Sequence, residues 1–281
     1  DIFPNDKRIG GAPLNVALRL HSLGNEVEII SRIGHDQDGQ EIASYLQENQ
    51  LNTESLQLDQ LLPTGTVRVI LNHTNTASYD ISMPVAWDAI SIKNKDLDKI
   101  KESDAFIFGS LSCRNDISKA TLYRCLSFAK FKVFDANLRA PFYTLELILE
   151  LMHLADFIKF NDEELDQITK HLNIHQKTIE DQIKYLAVKT KTKHICITLG
   201  ANGALFFTNG YFYRNSGYSV IVKDTVGAGD SFLATLVHQF FEESKPQTSI
   251  DNACAMGAIV ASRSGANPSV SKKDLIEIID S

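Results

Sequence analysis

The sequence predicts an α/β fold of three layers, a mainly parallel central sheet between two layers of helices, with a small β lid attached. Three observations predict it. Short, nearly unbroken apolar segments recur along the chain, as strands buried on both faces require. Helix-like stretches separate them, the rhythm of parallel strands joined by helical crossovers. One stretch, residues 64–90, breaks that rhythm with β-rich runs and no helix between them.

The elements follow in order. Residues 13–24 (PLNVALRLHSLG) read as a helix, with Pro13 suited to its first turn and Gly24 to its stop. Residues 26–34, 105–110, 132–137, 156–161 and 194–200 read as buried strands, short and β-branched. Helices are expected over 39–50, 144–154, 162–172 and 179–190. Residues 64–90 read as strands joined by a polar turn, a small sheet projecting from the body. In 203–223, Asn209-Gly210 stands between two β-rich runs, the mark of a hairpin. The end of the chain reads as helix over 230–243, 249–263 and 271–280. With no long linker or repeat, residues 1–281 are expected to form one domain.

Composition narrows the function. A net charge of −7 points away from a general nucleic-acid partner. No apolar run approaches the ~20 residues of a membrane helix, and no signal peptide is evident. Cys113, Cys125, Cys196 and Cys254 are scattered without a CxxC, which suits buried thiols in a reducing cytoplasm. The histidines form no HxxxH or HExxH cluster, so catalytic zinc is not expected. The chain starts at Asp1 without a methionine, in what reads as the end of a strand, so residues upstream are expected.

The chemistry concentrates in DTVGAGDSF, residues 224–232. In isolation, Gly227-Ala228-Gly229 is explained by a tight turn before a helix. It also suits an anion site: small residues let backbone N–H groups converge, and the helix start adds its positive dipole end. Asp230 then lies beside the anion, either as a helix cap or as a base that accepts a hydroxyl proton. A second glycine turn, Gly10-Gly11-Ala12-Pro13-Leu14-Asn15, enters the first helix. It is either a plain turn or a close approach to a polar ligand, with Asn15 supplying donor and acceptor. There is neither a GxxxxGK[ST] nor a GxGxxG opening the first helix. A Rossmann-type oxidoreductase, which needs that fingerprint and an acid ~20 residues on, is therefore disfavoured.

DTVGAGDSF resembles the C-terminal signature of the ribokinase-like (PfkB-type) sugar kinases, and GGAPLNVALRLHSLG their N-terminal one. Asn161-Asp162-Glu163-Glu164 looks like the family's N-x-x-E. Residues 198–203, TLGANG, look like its T-x-G-x-x-G nucleotide strand. The four occur in the family's order, and the resemblance covers essentially the whole chain. It implies transfer of the ATP γ-phosphoryl to a sugar hydroxyl, with Asp230 as base and Gly227, Ala228 and Gly229 as anion hole. Positioning and charge stabilisation carry most of such a transfer. Glu164 would act on magnesium through water, Asn161 would sit near the phosphates, and Thr198, Gly200 and Gly203 would border the nucleotide. A monovalent cation, potassium, would lie among Asp224, Val226, Val260, Arg263, Gly265 and Ser269, mostly at backbone carbonyls. Capping of the adjacent turn is the alternative role for Asp224.

The sugar site of the family matches Asp1, Gly11 and Asn15, and residues 64–90 match its lid. An exposed apolar lid face would suit a homodimer. DANLRAPFY (135–143) and PVAWDAI (84–90) resemble the fructokinase branch. By that similarity Arg139 would hold phosphate or substrate charge, unless it serves a structural ion pair. Fructose is the expected substrate, followed by another neutral hexose. 2-Keto-3-deoxygluconate, an acid, would need an extra cation, and Arg68 is the lid's unassigned arginine. A non-catalytic sugar or nucleotide sensor on the same fold is the alternative function. It would have no need of Asp230 or the glycines, and this chain keeps them.

Overall fold

A computed structural model describes residues 1–3, 6–71 and 77–280. The chain opens with short strands β1 (Ile2–Phe3) and β2 (Asp6–Lys7) and then helix α1 (Ala12–Ser22), with a proline in its first turn. Strand β3 (Ser31–Gly34), α2 (Gln37–Glu48) and β4 (Leu56–Asp59) follow, and then β5 (Val67–Leu71) and β6 (Ala77–Ile81). Next come α3 (Asn94–Glu102), β7 (Phe106–Gly109), α4 (Asp116–Leu126), β8 (Lys132–Asp135), α5 (Leu145–Leu154) and β9 (Phe157–Asn161). Helices α6 (Asp162–His171) and α7 (Ile179–Thr190) lead to β10 (His194–Thr198), β11 (Ala204–Thr208) and β12 (Tyr211–Asn215). Helices α8 (Ala228–Phe241), α9 (Pro246–Ala261) and α10 (Lys272–Ile279) close the chain.

The central sheet runs β12-β11-β10-β9-β8-β7, with β7 to β10 parallel and β11 and β12 added antiparallel. Period-two alternation divides its side chains between two buried faces. Phe134, Ile158, Phe160, Ile195 and Ile197 pack with Ile148, Leu151, Leu165 and Ile183 of α5, α6 and α7. Val133, Phe157, Cys196 and Phe206 pack with Leu233, Leu236 and Ile250 of α8 and α9. This is the three-layer arrangement read from the sequence. The hairpin stands where it was expected: Asn209 and Gly210 both have positive φ, 49° and 91°, as its two-residue turn requires.

The lid is a second sheet of order β2-β1-β5-β6, with β5 and β6 antiparallel. The polar turn expected inside it lies outside the described residues. So do most of the lid side chains on which the homodimer expectation rests. Beyond β6, Val85, Ala86 and Asp88 are buried. Arg68 is exposed.

The expectation of a long strand at 26–34 is corrected. Of 26–34, only Ser31–Gly34 is a strand, paired in parallel with β4 in a separate two-stranded ladder. Its alternation of charged and apolar residues fits a surface better than a sheet centre. The strand β4 itself was not foreseen. Helices α3 and α4 were also missed. α3 is mostly charged and buries apolar side chains only at Leu97 and Ile100, and α4 has a weak apolar stripe.

The exit of the lid is fixed to the body by one buried ion pair. Arg114 Nε and Nη2 donate to the two oxygens of Asp88 at 2.7 and 2.8 Å, and Nη2 also donates to Ser82 O at 2.7 Å. The side chains of Arg114 and Asp88 are 1% and 2% exposed, and the guanidinium stacks 3.7 Å from the Trp87 ring centroid. Removing one partner leaves the other buried and unmatched. Arg114→Leu is expected to cost roughly 3–5 kcal/mol in urea unfolding, and Arg114→Leu with Asp88→Leu distinctly less than the single change.

Candidate functional site

The site lies at the carboxyl ends of β8, β9 and β10, where open α/β sheets bind ligands. Gly227 has φ 77°, and a Cβ there would come within 2.5 Å of Ala266 O. Only glycine allows this turn and this approach. It opens α8 without any side-chain cap. Among the described residues, the N–H groups of Gly229 and Asp230 have no partner. An uncapped helix start with free N–H groups is a fit site for phosphate oxygens.

Asp230 occupies the first turn of α8 but does not cap it. Its Oδ2 accepts instead from Asn15 Nδ2 at 2.7 Å. Asn15 is 3% exposed and comes from the first turn of α1, entered through Gly11 at φ 112°. The carboxylate sits in a crowded recess that solvent still reaches. Burial pushes its pKa up to about 6, with Asp135 adding to the rise and Asn15, Lys159 and Arg139 opposing it. A base of that strength suits proton transfer near neutral pH.

Lys159 was not singled out in the sequence. It follows Phe157 on the α8 side of the sheet and is 7% exposed. Its Nζ donates to Asp135 Oδ1 at 3.0 Å, from the paired position on β8. A Cβ added to Gly229 would lie 3.6 Å from that Nζ, which puts the ammonium beside the helix start. Burial alone would lower its pKa, but Asp135, Glu164 and Asp230 together raise it, so it stays charged. A lysine between the apolar residues of a buried strand, with an acid ending the neighbouring one, was the available signal.

Glu164 is 4% exposed. Its Oε1 accepts from Leu138 N at 2.8 Å and its Oε2 from Asn161 N at 2.9 Å, while Asn161 Oδ1 accepts from Glu164 N. The pair is a capping box at the start of α6. Each Glu164 oxygen keeps a second lone pair for water, which fits an indirect role toward magnesium. Burial raises the Glu164 pKa, against the pull of Lys159. Among the described residues no cluster of three metal-ligating side chains forms. Thr198 is the Cα partner of Asn161, and Gly200 and Gly203, both at positive φ, turn the chain just beyond it. Arg139 acts on Asp230 through charge, and one of its donors meets Leu138 O.

Asp224, Val226 and Gly265 converge. Asp224 Oδ1 accepts from Val226 N and Oδ2 from Gly265 N, both at 3.1 Å, so the carboxylate does cap its turn. Its Oδ2 also meets Arg8 Nη1 at 2.6 Å, a fixed cation from the other end of the chain. Among the described residues, the backbone carbonyls of Asp224, Val226 and Gly265 receive no backbone N–H. They fit a monovalent ion better than the engaged carboxylate does. Val260 O accepts from Arg263 N and Ser269 O from the Arg263 side chain, which itself pairs with Asp274. A cavity of about 380 Å³ reaches this loop and is lined also by Asp1, Gly10 and Asn267. The Asp1 carboxylate rests against Gly10, where a Cβ would come within 2.9 Å of it.

The layered sheet and its lid define a ribokinase-like fold. Fructokinase from Vibrio cholerae O395, solved with fructose, ADP and a calcium ion, matches it with a TM-score of 0.83 at 23% identity, over 99% of this chain and 94% of that one. A 2-dehydro-3-deoxygluconokinase from Thermotoga maritima gives 0.85 at 21% identity, over 99% and 94%. In sequence, the chain is 28% identical over 287 residues to a protein named probable fructokinase-6, chloroplastic, from Arabidopsis thaliana, spanning 96% of this chain and 74% of that one. Residues 5–273 match the model of the pfkB family carbohydrate kinases. The chain belongs to that family and is a sugar kinase, a phosphotransferase with an alcohol group as acceptor.

The raised pKa of Asp230 has a stability consequence. The carboxyl is ionised above about 6 in the fold, against 3.8 for the ordinary group. The fold therefore pays nothing below pH 4 and carries the full cost above pH 6. Asp230→Asn is expected to stabilise the protein by about 2–3 kcal/mol at pH 7.5 and by little at pH 4. Urea unfolding at the two pH values checks the difference.

Proposed function

We propose that this chain phosphorylates fructose at the expense of ATP, with magnesium and a monovalent cation, as one ribokinase-like domain closed by its lid. The observation that carries the reading is the contact between Asp230 and Asn15 at an uncapped helix start. The proton acceptor and the free N–H groups flank one small volume. A sugar hydroxyl there would give its proton to Asp230 as its oxygen attacks the phosphoryl group. The N–H groups of Gly229 and Asp230, the α8 dipole and Lys159 would meet the charge on that group. Asp1, Gly11 and Asn15 would hold the sugar, and Arg139 the phosphate. Asn161, Thr198, Gly200 and Gly203 would border the nucleotide. Magnesium, held through water by Glu164, would supply further charge neutralisation on the phosphates. The four cysteines are buried free thiols, which suits a reducing cytoplasm.

A neutral sugar is favoured over a keto-deoxy acid by the cations at the cavity. Lys7 is matched with Asp38 and Glu41, and Arg8 with Asp6 and Asp224, so both charges are already met. The relatives named as fructokinases favour fructose among neutral sugars.

Purified protein with ATP and magnesium, offered fructose, other neutral hexoses and 2-keto-3-deoxygluconate, is expected to release ADP fastest with fructose. Asp230→Asn should keep ATP and sugar binding and lose at least about 100-fold in turnover. Binding of both ligands with no turnover on any sugar would favour the sensor instead.

Exchange of potassium for tetramethylammonium, an ion too large for the carbonyl set, tests the loop of Asp224, Val226, Val260, Arg263, Gly265 and Ser269. A lower rate at constant ionic strength is expected, restored by potassium. Equal rates in both salts would remove the cation from the reading.

A further inference from the structure

A relay of side-chain hydrogen bonds reaches Asp230 from the far end of the sequence. Asp230 Oδ2 accepts from Asn15 Nδ2 at 2.7 Å, and Asn15 Oδ1 accepts from Asn267 Nδ2 at 2.8 Å. An ionised carboxylate only accepts, so Asn15 must turn its NH2 to Asp230 and its oxygen away. Asn267 meets that oxygen with its own NH2. Its own Oδ1 is then buried with no partner among the described residues. Turned over, the Asn267 amide would set its own oxygen against that of Asn15, so its observed orientation is the one that serves Asn15.

The loop that carries Asn267 is held on three sides. Gly265 N donates to Asp224 Oδ2 at 3.1 Å, Ala266 lies against Gly227, and Pro268 O accepts from Arg19 Nη2 at 2.9 Å. Arg19 is 3% exposed and donates through Nε to Ser231 Oγ at 3.1 Å, next to the base. No carboxylate forms an ion pair with it among the described residues. It is held by neutral acceptors, and so ties α1, α8 and the loop together.

We propose that Asn267 is a positioning residue: it locks the amide of Asn15 with its NH2 toward Asp230, and so holds the base in its ionised, proton-accepting form. This rests on Asp230 being the base. Without the lock, the Asn15 amide can turn over and offer its oxygen. That oxygen repels a carboxylate and accepts from a carboxylic acid, so the protonated form gains. The charged groups that face Asp230 are Asp135 from β8, Lys159 from β9 and Arg139 from the segment after β8. Residues 264–268 carry no charge, so replacing Asn267 by a neutral residue leaves that set intact.

Asn267→Leu, similar in size and without polar atoms, tests this, with Asn267→Ala as a second variant should the first fold poorly. The protonation midpoint of Asp230 is read by carboxyl carbon NMR, assigned with Asp230→Asn, and compared with the acid limb of kcat/KM. Both are expected to rise by about one pH unit, the worth of one hydrogen bond to a charged group. A folded variant with an unchanged midpoint overturns the proposal, even if its melting temperature falls. A shifted midpoint in a protein that turns over no sugar would instead preserve the lock and remove Asp230 from the base role.

Discussion

A buried ammonium sets the terms for the rest of the site. Lys159 stands between Phe157, Ile158 and Phe160 in a strand covered on both faces, where an unpaired charge would be very costly. Asp135 meets it from the paired position on the next strand, and Glu164 and Asp230 share its field. Burial pushes the pKa of both Glu164 and Asp230 up, Asp230 to about 6, and Lys159 holds both rises back. The strand positions that create this cluster are fixed by the same apolar alternation that builds the sheet. The chemistry at the edge of the sheet is thus a consequence of how its interior packs.

Much of this was legible. The buried strands announce themselves because both faces are covered and their apolar runs are unbroken. Asn209-Gly210 forces its hairpin through two positive φ angles. DTVGAGDSF carries its own geometry, since Gly227 has to be glycine for the turn and for the approach of Ala266. What stayed hidden depends on register and on distance along the chain. The Lys159–Asp135 pair is a matter of which residues face each other across two strands. Asn15 and Asn267 are 252 residues apart, and Arg8 and Asp224 216. No local pattern encodes such meetings. Helix α3 was missed for a different reason: its charged surface leaves only Leu97 and Ile100 to show a helical period, and tertiary packing stabilises it.

The loop of residues 264–268 joins two parts of the site that the sequence suggests separately. Its Gly265 N–H caps the carboxylate of Asp224, at the start of the segment whose carbonyls suit a cation. Its Ala266 fits the space left by the missing Cβ of Gly227, at the helix start that suits the phosphoryl group. Its Asn267 reaches Asp230 through Asn15. Packed protein is close to incompressible, so a displacement at one of these contacts passes to the others. An ion seated on the carbonyls of Asp224, Val226 and Gly265 would tighten the same backbone that abuts Gly227. On the proposed reading, a monovalent cation seated there would act on phosphoryl transfer without touching the phosphoryl group, by stiffening the loop that supports the helix start and Asp230 together.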